Sequence, residues 1–457
     1  MSALDSARIS LARTVGRLSR LRGRGGTSAP GRVMLRISPH AIRDLATRLT
    51  DGSAVISATN GKTTTAAMAA EILRAAGHRP VHNSAGANMA GGIATTLVQS
   101  AGRGSQIDGD IGLFEVDEAW LEQLVAELHP RVIALGNLFR DQLDRYGELE
   151  KLADAWTRAG EQTAAQLVLN ADDPLVAYLG AGRPRALYFG VADDSVSYEN
   201  LGHAVDAGHC RRCGARLEFD RVYLGHLGRY HCPVCGLTRP QPTIAATEIE
   251  LHGVRDAEFT LMLEGRAQRV KLALPGLYNV YNALCAAAAA HALGASDSHI
   301  AAGLEATQPA FGRAEAVRLG PTGREMQILL IKNPVGATEV LRTLALEGSG
   351  LTLLAVLNDR IADGRDVSWI WDADFELLAG QIASVTCAGT RAADMATRLQ
   401  YAGVDPARIR VEPDLASALE LAATDGTGTL YAVPTYTAML ELRGLLEQRG
   451  EIERAWA

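Results

Sequence analysis

The run VISATNGKTTTAAMAAEIL (55–73) constrains this chain more than any other stretch. An apolar segment stops at a tight Gly-Lys-Thr, and an alanine-rich helix-forming segment begins at once. A strand that feeds a glycine loop and then a helix aims several backbone amides, and the positive helix end, at a single point that suits phosphate oxygens. Lys62 would neutralise phosphate charge and the Thr63 hydroxyl would bind Mg²⁺, with Thr59, Asn60, Gly61 and Thr64 completing the loop. Isoleucine stands at position 56, where the general phosphate-loop pattern has its first glycine.

Short apolar runs and helical runs continue to alternate: AVISA (54–58), GLFEVD (112–117), RVIALGN (131–137) and QLVLNADD (166–173). Such alternation predicts a parallel sheet covered on both faces. IAATEIELHG and FTLMLEGRAQRVKLALPG read as further strands, and NVYNALCAAAAAHALG as a helix. A second strand–helix series follows FGRAEAVRLG, through EMQILLIKN, LTLLAVLND, SVTCAG, RIRVEP and TLYAVPT. At 457 residues two or three domains are expected. The boundaries read as a basic N-terminal segment 1–40, an ATP-binding domain 41–311 and an α/β domain 312–457.

Six cysteines divide into two groups. Cys285 and Cys387 sit in apolar runs and read as small buried hydrophobes. Cys210, Cys213, Cys232 and Cys235 form two CxxC pairs 18 residues apart. Four soft thiolates on two knuckles suit a closed tetrahedral Zn²⁺ site, a zinc ribbon inserted at 202–240. His209 and His231 adjoin these ligands and read as bystanders. A ribbon also raises a rival reading, a nucleic-acid factor contacting its target through Arg211, Arg212, Arg216 and Arg229. The net charge of −7 argues against it. Arg13, Arg17, Arg20, Arg22, Arg24, Arg32 and Arg36 make the first 50 residues locally basic. That segment reads as a solvated arm or amphipathic helix, with an anionic lipid surface as the alternative contact. No apolar h-region follows these charges and no run is long enough to span a membrane, so the expectation is a cytoplasmic protein, peripheral at most at the inner membrane face.

Six ordered motifs make the chain resemble the Mur ligases and folylpolyglutamate synthetases: TNGKTT, EVDE (115–118), NLFRDQLDRYGE (137–148), LNADDP (169–174), GLYNVYNALCAAA (276–288) and FGRAE (311–315). These ligases activate a carboxylate with ATP as an acyl phosphate and then form an amide. The resemblance implies Glu115 as an Mg²⁺ ligand, Asn279 and Asn282 facing adenine, and Arg313 reaching the phosphates. The chain departs from the family at Gln142, where a metal-binding histidine is usual, and at Lys332-Asn333, where an acid for the ribose is usual. The expected fold class is α/β: a Mur ligase-type central ATPase domain with a parallel sheet, the inserted ribbon, and a second, smaller α/β domain.

The segment DRIADGRDVSWIWDADFE (359–376) holds six acids and two of the five tryptophans. With the ribbon and YAVPTYTAML (431–440), it resembles the Mur ligase-like synthetase subunits of glutamine-dependent lipid II amidating complexes. That resemblance implies amidation of the α-carboxylate of D-glutamate in the lipid II stem peptide. Ammonia would come from a GatD-type glutaminase that takes the acidic third member of its triad from this chain. Asp366 is the first choice for that acid and Asp363 the second; Trp369 and Trp371 would pack the scaffold or the partner. The alternative is an amino-acid-adding Mur or folylpolyglutamate-type ligase.

Overall fold

A computed structural model describes residues 3–21, 28–83, 87–102, 106–141, 149–198, 206–309, 313–320 and 322–452. Arg22, Arg24 and Gln142 lie outside the described residues, as do the side chains of Arg17, Arg20 and Arg313.

Strands β1 (Ser53–Ser57), β2 (Pro80–His82), β3 (Ile111–Glu115), β4 (Val132–Leu135), β5 (Gln166–Asn170) and β6 (Leu187–Val191) run parallel. Next in the chain, β7 (Glu218–Leu224) and β8 (Leu227–His231) pair as a separate antiparallel hairpin. β9 (Ile244–His252) joins the sheet parallel to β6, and β10 (Asp256–Leu263) and β11 (Arg266–Leu272) extend it antiparallel. The spatial order is β11-β10-β9-β6-β5-β4-β1-β3-β2. Every residue of β1 is buried, as a strand covered on both faces requires. From β1 the chain moves to β2 and β3 on one side and to β4, β5 and β6 on the other. The ends of β1 and β4 therefore border a topological switch point, where open α/β sheets bind ligands.

The helix Leu277–Ala292 crosses this sheet with its alanines buried, bringing its backbone close to the strands. A second sheet begins after it: β12 (Arg313–Arg318), β13 (Glu325–Leu329), β14 (Leu351–Val356), β15 (Ile382–Ala388), β16 (Ile409–Val411) and β17 (Leu430–Pro434). Its order is β12-β13-β17-β14-β15-β16, parallel apart from the β12–β13 pair. Separate apolar clusters pack its two faces.

The basic N-terminal run takes the helical alternative, Ala3–Leu21, and Ile9 and Ala12 are buried. Arg13 donates to the carbonyls of Val98, Gln99 and Ala101 at the end of the helix Ala90–Ser100. A cation at that helix end offsets the dipole and satisfies orphan carbonyls, so this arginine is a clasp rather than a free charge. Cys285 and Cys387 are buried, and burial pushes both thiols up to about 12.

Candidate active site

The loop after β1 turns into the helix Lys62–Ala75 at Gly61, whose φ is 86°. A Cβ on Gly61 would also lie 1.9 Å from the Asn282 side-chain oxygen, so glycine is required twice: for the left-handed backbone and for the approach of helix Leu277–Ala292. The loop is clasped to the residues after β4. Thr59 N–H donates to the Asn137 carbonyl at 2.9 Å, Asn60 N–H to Asn137 Oδ1 at 2.9 Å, and Phe139 N–H to Thr59 Oγ1 at 3.0 Å. Asn282 donates to Asn279 Oδ1 at 3.0 Å, and Asn279 donates to the Pro275 carbonyl at 2.8 Å.

A cavity of about 390 Å³ opens above this loop, within the range of small-ligand pockets. Thr59, Asn60, Gly61, Lys62, Thr63 and Thr64 line it, with Glu115, Asn279 and Asn282. The structure therefore brings together the expected phosphate-loop, Mg²⁺ and adenine residues. Arg313 opens β12, which carries a bulge between Arg313 and Glu315, and Ala314, at φ 58°, lines the cavity. Bulges of this kind re-aim side chains next to active sites.

Glu115 is 2% exposed and its Oε2 has no hydrogen-bond partner among the described residues, while Asn88 reaches Oε1 at 3.4 Å. A buried carboxylate oxygen without a donor costs free energy unless a cation meets it, so Glu115 fits an Mg²⁺ ligand. Lys62 Nζ donates to Glu118 at 2.8 Å and to the Ala58 carbonyl at 2.5 Å. Burial raises the Glu118 carboxyl, but Lys62 and Lys332 outweigh it and hold the group below its usual range.

The second sheet closes the cleft through residues whose roles depend on tertiary approach. Lys332 pairs with Asp141. Against burial, Asp141 and Glu118 hold its ammonium above the ordinary value. Asn60 and Asn333 exchange side-chain amide bonds of 3.1 and 2.8 Å. Glu118 closes the EVDE run, Asp141 lies in the NLFRDQLDRYGE segment and Lys332 stands at the position of the usual ribose acid, so those signals could have identified all three; Glu339 has no comparable local signature as a cleft residue.

Glu339 lies on the cleft wall, 2.9 Å from Arg342. Burial pushes its carboxyl up to about 7 against the pull of Arg342, from an ordinary 4.5. With the folded value raised, the stability tied to the protonated form is complete below about 4.5 and is lost as pH rises through about 7. Glu339→Gln removes that loss. Between pH 5 and pH 8 the variant should gain on the wild type by roughly 1–3 kcal/mol in denaturant melts. A difference independent of pH would contradict this.

LNADDP, by contrast, serves as struts. Asp173 accepts from the amides of Leu175 and Val176, capping the helix Pro174–Tyr178, and from Leu138 N–H at 2.9 Å. Asp172, fully buried, accepts from Val191 N–H at 2.8 Å, from Tyr281 OH at 2.7 Å and from Arg239.

The four cysteines converge as their spacing predicts. One sulfur from each of Cys210, Cys213, Cys232 and Cys235 lies within 4.8 Å of the others. Cys210–Cys235 and Cys213–Cys232 sulfur pairs are each 3.5 Å apart. The backbone amides of Cys235 and Val234 favour the Cys232 thiolate. The donor set fits a closed tetrahedral site for Zn²⁺.

Of the two candidate acids, Asp363 is 5% exposed and accepts from Thr437 N–H at 2.7 Å and from the Thr437 hydroxyl. Asp366 is exposed, and the Ser368 amide that donates to it at 2.8 Å holds its carboxyl below the usual range. Trp369 packs on the core of the second sheet. Trp371 is 48% exposed and meets Tyr401 edge-on, with centroids 5.4 Å apart.

A phosphate loop at the switch point of one sheet, closed by a second α/β sheet, defines the Mur ligase class. The Mur ligase middle domain family matches residues 56–212, and the MurT ligase C-terminal family matches 330–439. The chain is 34% identical over 438 residues to the "Lipid II isoglutaminyl synthase (glutamine-hydrolyzing) subunit MurT" of Streptococcus pneumoniae, covering 94% of each protein. It is 33% identical to the subunit of the same description from Staphylococcus aureus, covering 96% of each. The chain belongs to the MurT family. Among solved structures, a pseudomurein peptide ligase type C from Methanothermus fervidus shares the fold with a TM-score of 0.70 at 23% identity, covering 89% of this chain and 80% of that one. MurF ligase from Thermotoga maritima, solved in complex with ADP, aligns with a TM-score of 0.61 at 14% identity, covering 90% of this chain and 84% of that one.

Proposed function

We propose that this chain is the synthetase subunit of a lipid II isoglutaminyl synthase. It uses ATP to convert the α-carboxylate of D-glutamate in the lipid II stem peptide into an acyl phosphate. Ammonia from a GatD-type glutaminase then attacks the acyl carbon and phosphate leaves, giving D-isoglutamine. The observation that carries this reading is kinship with a protein of that description over 94% of each chain, and the family match extends through the segment holding Asp366.

The phosphate-loop amides, Lys62 and the start of helix Lys62–Ala75 orient the β- and γ-phosphates; Arg313 meets the charge that develops in transfer. Thr63 and Glu115 would hold Mg²⁺, which neutralises phosphate charge when bound. Cys210, Cys213, Cys232 and Cys235 would hold Zn²⁺ in a structural role, since four thiolates leave no open position. Residues 41–311, including the ribbon at 202–240, bind the nucleotide, and 312–457 close the cleft and face the partner.

Asp366 supplies the orienting carboxylate of the partner's triad. An acid in that role must be ionised and reachable from outside, and Asp366 meets both demands, whereas Asp363 is spent on Thr437. Ile361, Trp371 and Tyr401 are exposed on the same second-sheet unit and suit an interface core. The loop also reaches inward: Ala362 lines the cleft, four positions before Asp366, and Asp372 lies 3.8 Å from Arg140, beside Asp141. Such a loop joins the site of ammonia production to the site of its use.

The purified chain given lipid II, ATP and a high concentration of ammonium salt should exchange one stem hydroxyl for an amino group, read by mass spectrometry. A mass gain on addition of an amino acid would favour an amino-acid-adding ligase instead.

A further inference from the structure

In a surface ribbon that reads nucleic acid, the hairpin turn faces outward. Here it faces inward. Leu224, His226 and Leu227, at the β7–β8 turn, are 4%, 0% and 1% exposed, and both leucines line the nucleotide cleft. The turn is wedged between the two sheets: a Cβ on Gly225 would meet Val335 at 3.1 Å and Phe139 at 3.2 Å. The His226 ring stands edge-on to Phe139, with centroids 4.9 Å apart. Phe139 is the residue clasped to Thr59 of the phosphate loop, and Val335 lies in the first turn of the helix Pro334–Ala345 that closes the cleft.

The other end of the same hairpin runs into the cysteines. β8 ends at His231, immediately before Cys232, and Leu217 and Tyr230 pack with Cys210 and Cys232 in one small cluster. A second route leaves the ribbon through Asp172: Gly228 N–H donates to its carbonyl at 2.9 Å, and its carboxylate binds Arg239, which follows the last knuckle. Asp172 also accepts from Tyr281, on the helix that carries Asn279 and Asn282. Leu224 and Leu227 form an aliphatic wall, which suits the flat apolar faces of a nucleobase rather than phosphate oxygens.

We propose that the ribbon's Leu224–Leu227 turn is a wall of the nucleotide cleft, so that nucleotide affinity and metal retention by the four cysteines are coupled. The proposal rests on the nucleotide reading of the cleft. The coupling is reciprocal: whatever factor the metal adds to nucleotide affinity, the nucleotide adds to metal affinity.

The test uses the full zinc-loaded chain and ADP with Mg²⁺. The double variant Leu224→Ala/Leu227→Ala should keep one zinc per chain and bind ADP roughly tenfold or more weakly by calorimetry. In the wild-type chain, saturating ADP should slow zinc extraction by a colorimetric chelator roughly fivefold or more, and the variant should lose that protection. Unchanged ADP affinity in a zinc-retaining variant would overturn the proposal. So would a wild-type extraction rate indifferent to ADP, which decides the matter even if the variant fails to fold. A native chain that binds no ADP would overturn the nucleotide reading, and this inference with it.

Discussion

Asp366→Asn should abolish glutamine-driven amidation while ADP binding and ammonium-driven amidation persist. Asparagine keeps the size of the side chain and its bond to the Ser368 amide, but it removes the charge that would orient a histidine in the partner. In serine-protease triads the equivalent change costs about 10⁴-fold in turnover, so a loss on the order of 10²–10⁴-fold in glutaminase activity of the complex is expected. Asp363→Asn behaves differently. It weakens a buried acceptor of two Thr437 bonds and should cost stability, about 1–3 kcal/mol, with a proportionate effect on every activity. Equal glutamine-driven rates in Asp366→Asn and wild type would assign the acid elsewhere.

Glu115→Gln separates function from stability in the opposite sense. Glu115 Oε2 is buried with no donor among the described residues, so the wild type carries the cost of an uncompensated carboxylate when no cation is bound. The amide is neutral and nearly isosteric, and the variant should melt at or above the wild-type temperature. Its Mg²⁺-dependent ATP turnover should fall by about 10²-fold or more, as expected when several kcal/mol of metal-assisted charge stabilisation is lost. A variant less stable than wild type, with turnover reduced only in proportion to unfolding, would make Glu115 a structural residue.

The parts of this fold that local backbone chemistry dictates were legible in the sequence. Gly61 between a strand and a helix has few alternatives, and two CxxC knuckles can meet in few ways. The LNADDP run marked the family correctly, and its acids are structural: Asp173 caps a helix and Asp172 joins the Asp172–Tyr281–Arg239 cluster. Asn279 ties down the start of its helix and also lines the cleft. What stayed hidden was convergence across long sequence separations. Lys332 meets Asp141 and Asn333 meets Asn60 only because the second sheet packs over the first. The inward direction of the ribbon turn likewise follows from Phe139 and Val335, far from it in sequence. The burial of Asp363, ranked second to Asp366 as the candidate acid, depends on Thr437, whose position relative to the 359–376 loop no local pattern reveals.

The central claim is most directly tested by co-expressing the chain with a GatD-type glutaminase and analysing by mass spectrometry lipid II incubated with the complex, ATP and glutamine. Exchange of one hydroxyl for an amino group on the D-glutamate α-carboxyl, dependent on both ATP and glutamine, is the predicted result. Unmodified lipid II, in the presence of a glutaminase shown to release ammonia, would contradict it.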